Sequence, residues 1–259
     1  MIDSLYIGAT GMHAQQMNID VVANNLANVN TAGFKRNRID FEDLLYRAAG
    51  GARAADGQAL MAPQTGMGTT IAASGKVFTP GDVKKTEQSL DLAIRGSGFF
   101  EVALPDGSFG YTRSGAFQIN NDGMLMTQDG NALSASIQLP PDATNVTVEA
   151  NGRVSATVPD QKRPIELGQI DLVNFVNPTG LNPVGNNLYM ANPNSGEPLR
   201  GVAGENGTGS VAQGYLEASN VRLIDEMINL IVAQRAYEIN AKVVQASDEM
   251  LSISNSLFR

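Results

Sequence analysis

The 259-residue chain has no cysteine. This excludes disulfides, thiolate metal sites and cysteine nucleophiles, and it leaves the redox compartment open. The chain has a single histidine, His13, so no pair of imidazoles is available to share a metal. No apolar run approaches the roughly 18 residues that a membrane-spanning helix needs. The opening residues, MIDSLYIGATGMHAQQ, hold neither a basic n-region nor a continuous apolar h-region, so a cleavable secretory signal is not expected. Basic charge is in short supply too: 18 Lys and Arg against 26 Asp and Glu give a formal charge of −8. That balance disfavours nucleic acid as a partner, and the acidity reads first as a solubility feature. Hydrophobic residues, at 42%, remain ordinary for a globular chain and exclude wholesale disorder. The length suffices for one large domain or two smaller ones with real cores.

A convergent set of reactive groups is missing as well. His13 falls in a helical pattern and reads as a surface or packing residue. Asp91 and Glu101 flank the stretch RGSGFF, but nothing in the sequence fixes the carboxylate separation that glycoside hydrolysis requires. Gly96 and Gly98 lack the third glycine, the following helix and the lysine of phosphate-binding loops, so a bulge or close strand packing is expected there. No catalytic residue, cofactor or metal is expected, and the chain does not read as an enzyme.

What is present is helical pattern at both ends. From about residue 3 to 46, with Asp3 or Ser4 as a cap, Leu5, Met12, Ile19, Val22, Leu26 and Val29 recur at spacings of three, four and seven. Gly8 and Gln15 occupy weak positions of the same seam, Gly33 supplies a stop signal, and 39–47 resumes a short amphipathic segment. At the other end, Leu223, Met227, Leu230, Tyr237, Ala241, Val244 and Leu251 form a second seam, widened by Ile224, Ile228 and Ile231. No proline or glycine interrupts the sequence from 215 onward, and Asp225 and Glu226 sit near the helix start, where carboxylates suit the dipole.

Between the ends lie short strands divided by PDG, NDG, QDG and ANG turn signals. The sequence therefore predicts an α+β fold: long N- and C-terminal helices packed together in coiled-coil fashion, with an inserted, mainly β domain. The expected divisions are a helical assembly segment at 1–46 pairing with 215–259, an extended connection at 47–75, an all-β domain at 76–200 and a linker at 201–214.

Narrow apolar seams on long helices call for partner helices. A two-helix hairpin accounts for part of the pattern but covers only one side of each stripe, so association between copies is expected to bury the rest. The stretch VVANNLANVNTAGFKR adds Asn24, Asn25 and Asn28, whose amides both donate and accept. Stranding one in a packed interface costs about 1–3 kcal/mol, so these amides are expected to set register between subunits, or else to face solvent.

These stretches resemble a known family. VVANNLANVNTAGFKR is similar to the N-terminal signature of the flagellar basal-body rod and hook proteins, and GYLEASNVRLIDEMINLIVAQRAYEINAKVVQASDEML to their C-terminal signature. IRGSGFFEV and YTRSGAFQIN resemble the central motif of the same group. The three occur in the family's order, and the length and the long 46–75 connection are most like its distal-rod members; proximal rod subunits are the alternative, and a cell-wall-acting enzyme a remote one. The resemblance implies a structural subunit that polymerises helically into a hollow, rigid drive shaft carrying torque from motor to hook. Its implied partners are further copies of itself, proximal rod and hook-junction proteins, the L and P bushing rings and the flagellar type III export apparatus, in a rod spanning the periplasm.

Overall fold

The computed structural model describes residues 2–48, 64–135, 137–143, 145–159, 163–205 and 207–257. They form two compact units, neither of them continuous in the chain. The first draws on 1–27, 37–75 and 222–259; the second on 28–36 and 76–221.

The first unit is built on two helices, α1 (Ile2–Ala27) and α2 (Leu223–Leu257). With 26 and 35 residues, they run about 39 and 52 Å at a rise of about 1.5 Å per residue. Neither contains proline, and α2 opens with Asp225 and Glu226 in its first turn, where the helix dipole favours negative charge. They pack antiparallel in one register: Ser4 hydrogen-bonds Ser247 at 3.1 Å, Gly11 lies against Asn240, and Asn25 donates to Glu226 at 3.3 Å. Along α2 the residues turned inward are Glu226, Leu230, Ala233, Asn240, Val244, Ser247 and Leu251, at the heptad spacing of a coiled coil. Gly8 and Gly11 set the closeness of the approach, because a Cβ at Gly8 would lie 2.7 Å from a Val244 methyl.

α1 ends at Ala27, and Asn37–Asp43 and Tyr46–Ala48 are strands rather than renewed helix. This corrects the helical reading of 39–47. Asn37–Asp43 pairs with Thr69–Lys76, and Tyr46–Ala48 pairs antiparallel with Gln64–Gly66. The cause is local. The Asn25 amide accepts from the Asn37 N–H at 2.8 Å and donates to the Asn37 carbonyl at 2.9 Å, holding that residue as a neighbouring strand would. Ile39 is buried while Asp40 and Phe41 are exposed. The expected connection at 47–75 is thus paired ribbon where it is described; residues 49–63 lie outside the described residues.

The second unit is the β unit, and the turn signals behave as read: Gly107, Gly123, Gly130 and Gly152 all adopt positive φ between antiparallel strands. Among the described residues its main sheet has nine strands. Phe99–Ala103 is central, paired with Phe109–Thr112, Ala132–Leu133 and Asp171–Asn174. The run FFEV suits that place, because both faces of the strand are covered. Phe100 and Val102 enter an aliphatic core with Leu92, Ile94, Leu172 and Val211, while Phe99 enters an aromatic cluster with Tyr111, Phe175 and Tyr189. Asn145–Val148, Arg153–Thr157 and Ile165–Gln169 form a separate three-stranded sheet.

The end of this unit departs from the sequence reading. The expected linker at 201–214 contains parts of two strands, Leu199–Val202 and Ser210–Gln213, and the latter pairs with Leu92–Arg95. Tyr215–Glu217, expected to open the helical segment, is a strand on Val83–Lys85. Val211 is a core residue, so this stretch is held by burial as well as by its ladder. Its glycines, which suggested a loop, serve turns and a close approach: a Cβ at Gly209 would lie 2.6 Å from the Arg95 carbonyl oxygen.

Candidate functional site

The first unit carries an apolar surface that its own packing leaves uncovered. On α2, Ile224 is 71% exposed, and Leu223, Met227, Ile228, Ile231, Val232, Ile239, Val243, Met250 and Ile253 are exposed with it. The helix is inverted relative to a soluble amphipathic one, since the inward seam is rich in small and polar residues. A monomeric protein seldom leaves so much contiguous apolar surface in water.

The expected interface residues divide accordingly. Leu223, Met227 and Tyr237 lie on exposed parts of α2, while Leu230, Ala241, Val244 and Leu251 are half-buried. On α1, Leu5, Met12, Ile19 and Leu26 are half-buried and Val22 is buried. Val29 and Asn28 fall beyond the end of α1, where Asn28 takes part in a turn: its carbonyl accepts from the Thr31 N–H and its amide oxygen from the Thr31 hydroxyl. Asn24 is exposed. Asn25 is buried and its amide is occupied within the chain by Asn37 and Glu226. For Asn25, therefore, register is set between parts of one chain.

The sequence reading missed a cluster of charges buried in the β unit. Glu217 accepts from the Lys35 ammonium at 2.5 Å, from an Arg113 Nη1–H at 3.2 Å and from the Gly81 N–H at 2.8 Å. Lys35 also donates to the Thr79 carbonyl, and Arg113 to the Gly96 carbonyl, each at 2.8 Å. All three side chains are inaccessible or nearly so. Burial pushes the Lys35 ammonium below its ordinary pKa despite the opposing pull of Glu217, and burial does the same to Arg113. Glu101, one of the two carboxylates beside RGSGFF, is held by a two-pronged contact from Arg200.

The backbone around the cluster is equally tight. Gly33 has φ +71°, and a Cβ there would lie 2.5 Å from the Ser114 nitrogen. Its N–H donates to the Glu217 carbonyl at 2.8 Å. The Asn220 side chain accepts from the Arg36 N–H and donates to the Val77 and Thr79 carbonyls. The signal for all this was in the sequence: Lys35, Arg113 and Glu217 sit in GFKR, YTRSG and GYLEASN, one in each quoted motif. The arrangement is structural. It presents no open carboxylate or nucleophile, and among the described residues no three of His, Asp and Glu gather as metal ligands would.

Comparison with known proteins agrees with this division. A family model for flagella basal body rod proteins matches residues 5–35, one for the flagellar hook protein FlgE/F/G D1 domain matches 93–156, and one for the flagellar basal body rod FlgEFG protein C-terminal region matches 212–257. Lys35, Arg113 and Glu217 fall one in each. The chain is 46% identical to the flagellar basal-body rod protein FlgG of Buchnera aphidicola subsp. Schizaphis graminum, over 97% of this chain and 98% of that one. It is 43% identical to FlgG of Borreliella burgdorferi over 100% of both chains. The flagellar basal-body rod protein FlgF of Caulobacter vibrioides is more distant, at 35% over 96% of this chain and 95% of its own. The chain belongs to the flagellar basal-body rod protein family and, with the FlgG proteins, is a structural subunit of the distal rod.

Proposed function

We propose that copies of this chain assemble helically through their terminal helices into a hollow, rigid shaft that transmits torque from motor to hook. The observation that carries this is the outward apolar face of α2, which further helices would cover. Exposed Leu, Ile and Met side chains at helical spacing give adhesion in the manner of coiled-coil knobs, and α1 supplies a second helix for the same layer. The expected contact set is Leu5, Met12, Ile19, Val22, Asn24, Leu26, Asn28 and Val29 from the N-terminal side, with Leu223, Met227, Leu230, Tyr237, Ala241, Val244 and Leu251 from the C-terminal side. Asn25 joins it as a residue that shapes the interface from within its own subunit.

The chain acts mechanically, with no reaction of its own. Its further partners are proximal rod and hook-junction proteins at the ends of the shaft, the L and P rings around it and the flagellar type III apparatus that exports it, along a rod crossing the periplasm. No described helix is long and apolar enough to cross a membrane. Sedimentation across a range of concentrations, with electron microscopy of the product, tests the proposal. Ordered tubes above a threshold concentration are expected; a chain that stays monomeric with both termini intact would refute it.

A further inference from the structure

The buried charges are unbalanced in a way that bears on how the β unit closes. Two cations, Lys35 and Arg113, meet one carboxylate, Glu217, and among the described residues neither touches another. Glu217 follows Arg113 by 104 residues and Lys35 by 182, and it belongs to the last strand of the unit. We propose that Glu217 is a closure lock: residues 28–36 dock against the β unit only once the strand Tyr215–Glu217 is in place.

The reasoning rests on desolvation. Lys35 and Arg113 bind opposite oxygens of one carboxylate, so without it they would enter a dry site side by side as bare cations. A charge removed from water without a counter-charge is strongly disfavoured. Until Glu217 arrives, both are better left hydrated, and the N-terminal loop stays off. Asn220 reinforces the contact once it has closed. Its side chain bridges Arg36 to Val77 and Thr79, so the contact between the N-terminal loop and residues 77–79 is completed by a residue three places after Glu217. The proposal stands on the fold alone. In a chain delivered N-terminus first, it would keep the early part open until the whole β unit had emerged.

Pulse-labelled hydrogen exchange during refolding of the full chain tests it. The Val77 N–H, bonded to the Arg36 carbonyl at 2.9 Å, reports docking of the loop, and the Ala218 N–H, bonded to the Asp82 carbonyl at 2.8 Å, reports docking of the last strand. Val77 is expected to gain protection with Ala218 or after it. Lys35→Met leaves Arg113 and Glu217 as a one-to-one pair, and Val77 should then become protected in an earlier phase than Ala218. Val77 leading Ala218 in the unsubstituted chain, or an unchanged order in Lys35→Met, overturns the lock. Should Lys35→Met not refold, Glu217→Gln is examined at equilibrium. Loss of Val77 protection with retention at Leu92, whose N–H bonds Gly115, supports the lock. Loss at both sites together, or at neither, overturns it.

Discussion

Removing the outward apolar face of α2 should weaken assembly while leaving the dilute chain folded. Ile228 and Ile231 are 54% and 56% exposed in the single chain, so each has spent about half of its hydrophobic stabilisation inside the subunit. Full burial of an isoleucine is worth about 1.5–3 kcal/mol, so about half of that, roughly 0.8–1.5 kcal/mol per residue, remains for contact with neighbours. Replacing both with serine should weaken subunit addition by about 1.6–3 kcal/mol, or roughly 15- to 150-fold at about 1.4 kcal/mol per decade. The half already buried in the subunit is lost as well, so fold stability should fall by no more than a comparable roughly 1.6–3 kcal/mol. The assay is the critical concentration for polymerisation, read by sedimentation, beside a urea titration of the dilute chain. A critical concentration that is unchanged while the dilute chain stays folded would refute the assignment of this face to subunit contact.

Other consequences follow from the interior. Asn25→Ala takes away the side-chain partner of both backbone polar groups of Asn37 and removes a donor to Glu226, and should destabilise the chain by about 1–3 kcal/mol in a urea titration; Asn24→Ala, at an exposed position, should have a smaller effect. Gly33→Ala forces a side chain into left-handed backbone and against the Ser114 nitrogen, so a loss of at least about 1–3 kcal/mol is expected, and a variant that melts like the parent would show that the contact yields freely. Tyr189 is buried among Phe78 and Phe99, and burial, aided by the Glu217 charge, raises its pKa far above the ordinary 10.0. The folded chain therefore holds this proton where the unfolded chain releases it, so the contribution is complete below about pH 10 and declines as pH rises beyond. Tyr189→Phe should flatten the fall of the urea midpoint between about pH 9 and about pH 11, and parallel curves for the two proteins would count against the assignment.

Much of the fold was legible because it depends on signals that act locally. The four Asp-Gly and Asn-Gly turns needed only their own residues to be placed. The 35-residue α2 likewise announced itself by an uninterrupted pattern. What escaped depended on distant partners. Residues 39–47 carry a pattern short enough to suit helix or strand, and Asn25, a dozen positions earlier, decides for strand by bonding both sides of Asn37. Residues 201–217 look like a glycine-rich linker until Leu92–Arg95 and Val83–Lys85 are there to pair with them. Lys35, Arg113 and Glu217 look like solvated charges until the chain brings them together; only their places, one in each quoted motif, set them apart, because a charge by itself does not show burial.

The same distinction explains why the apolar seams named the right helices but mixed their two faces. An apolar residue at helical spacing shows that a helix will bury something, without showing against what. In α2 the face toward α1 carries Glu226, Ala233, Asn240 and Ser247 among its few large apolar groups, while Ile224, Ile228 and Ile231 point away. Ordering the backbone costs roughly 1–2 kcal/mol per residue, and a seam of small and polar side chains returns little hydrophobic stabilisation against it. The pairs Ser4–Ser247 and Asn25–Glu226 therefore act mainly on register, since a shift along the helix would strand their polar groups. On the proposed function, adhesion is left to the outward face. On that proposal, a subunit divided this way has its hairpin register fixed from within and its helices held in place by neighbours, so rigidity belongs to the assembled shaft more than to any one chain.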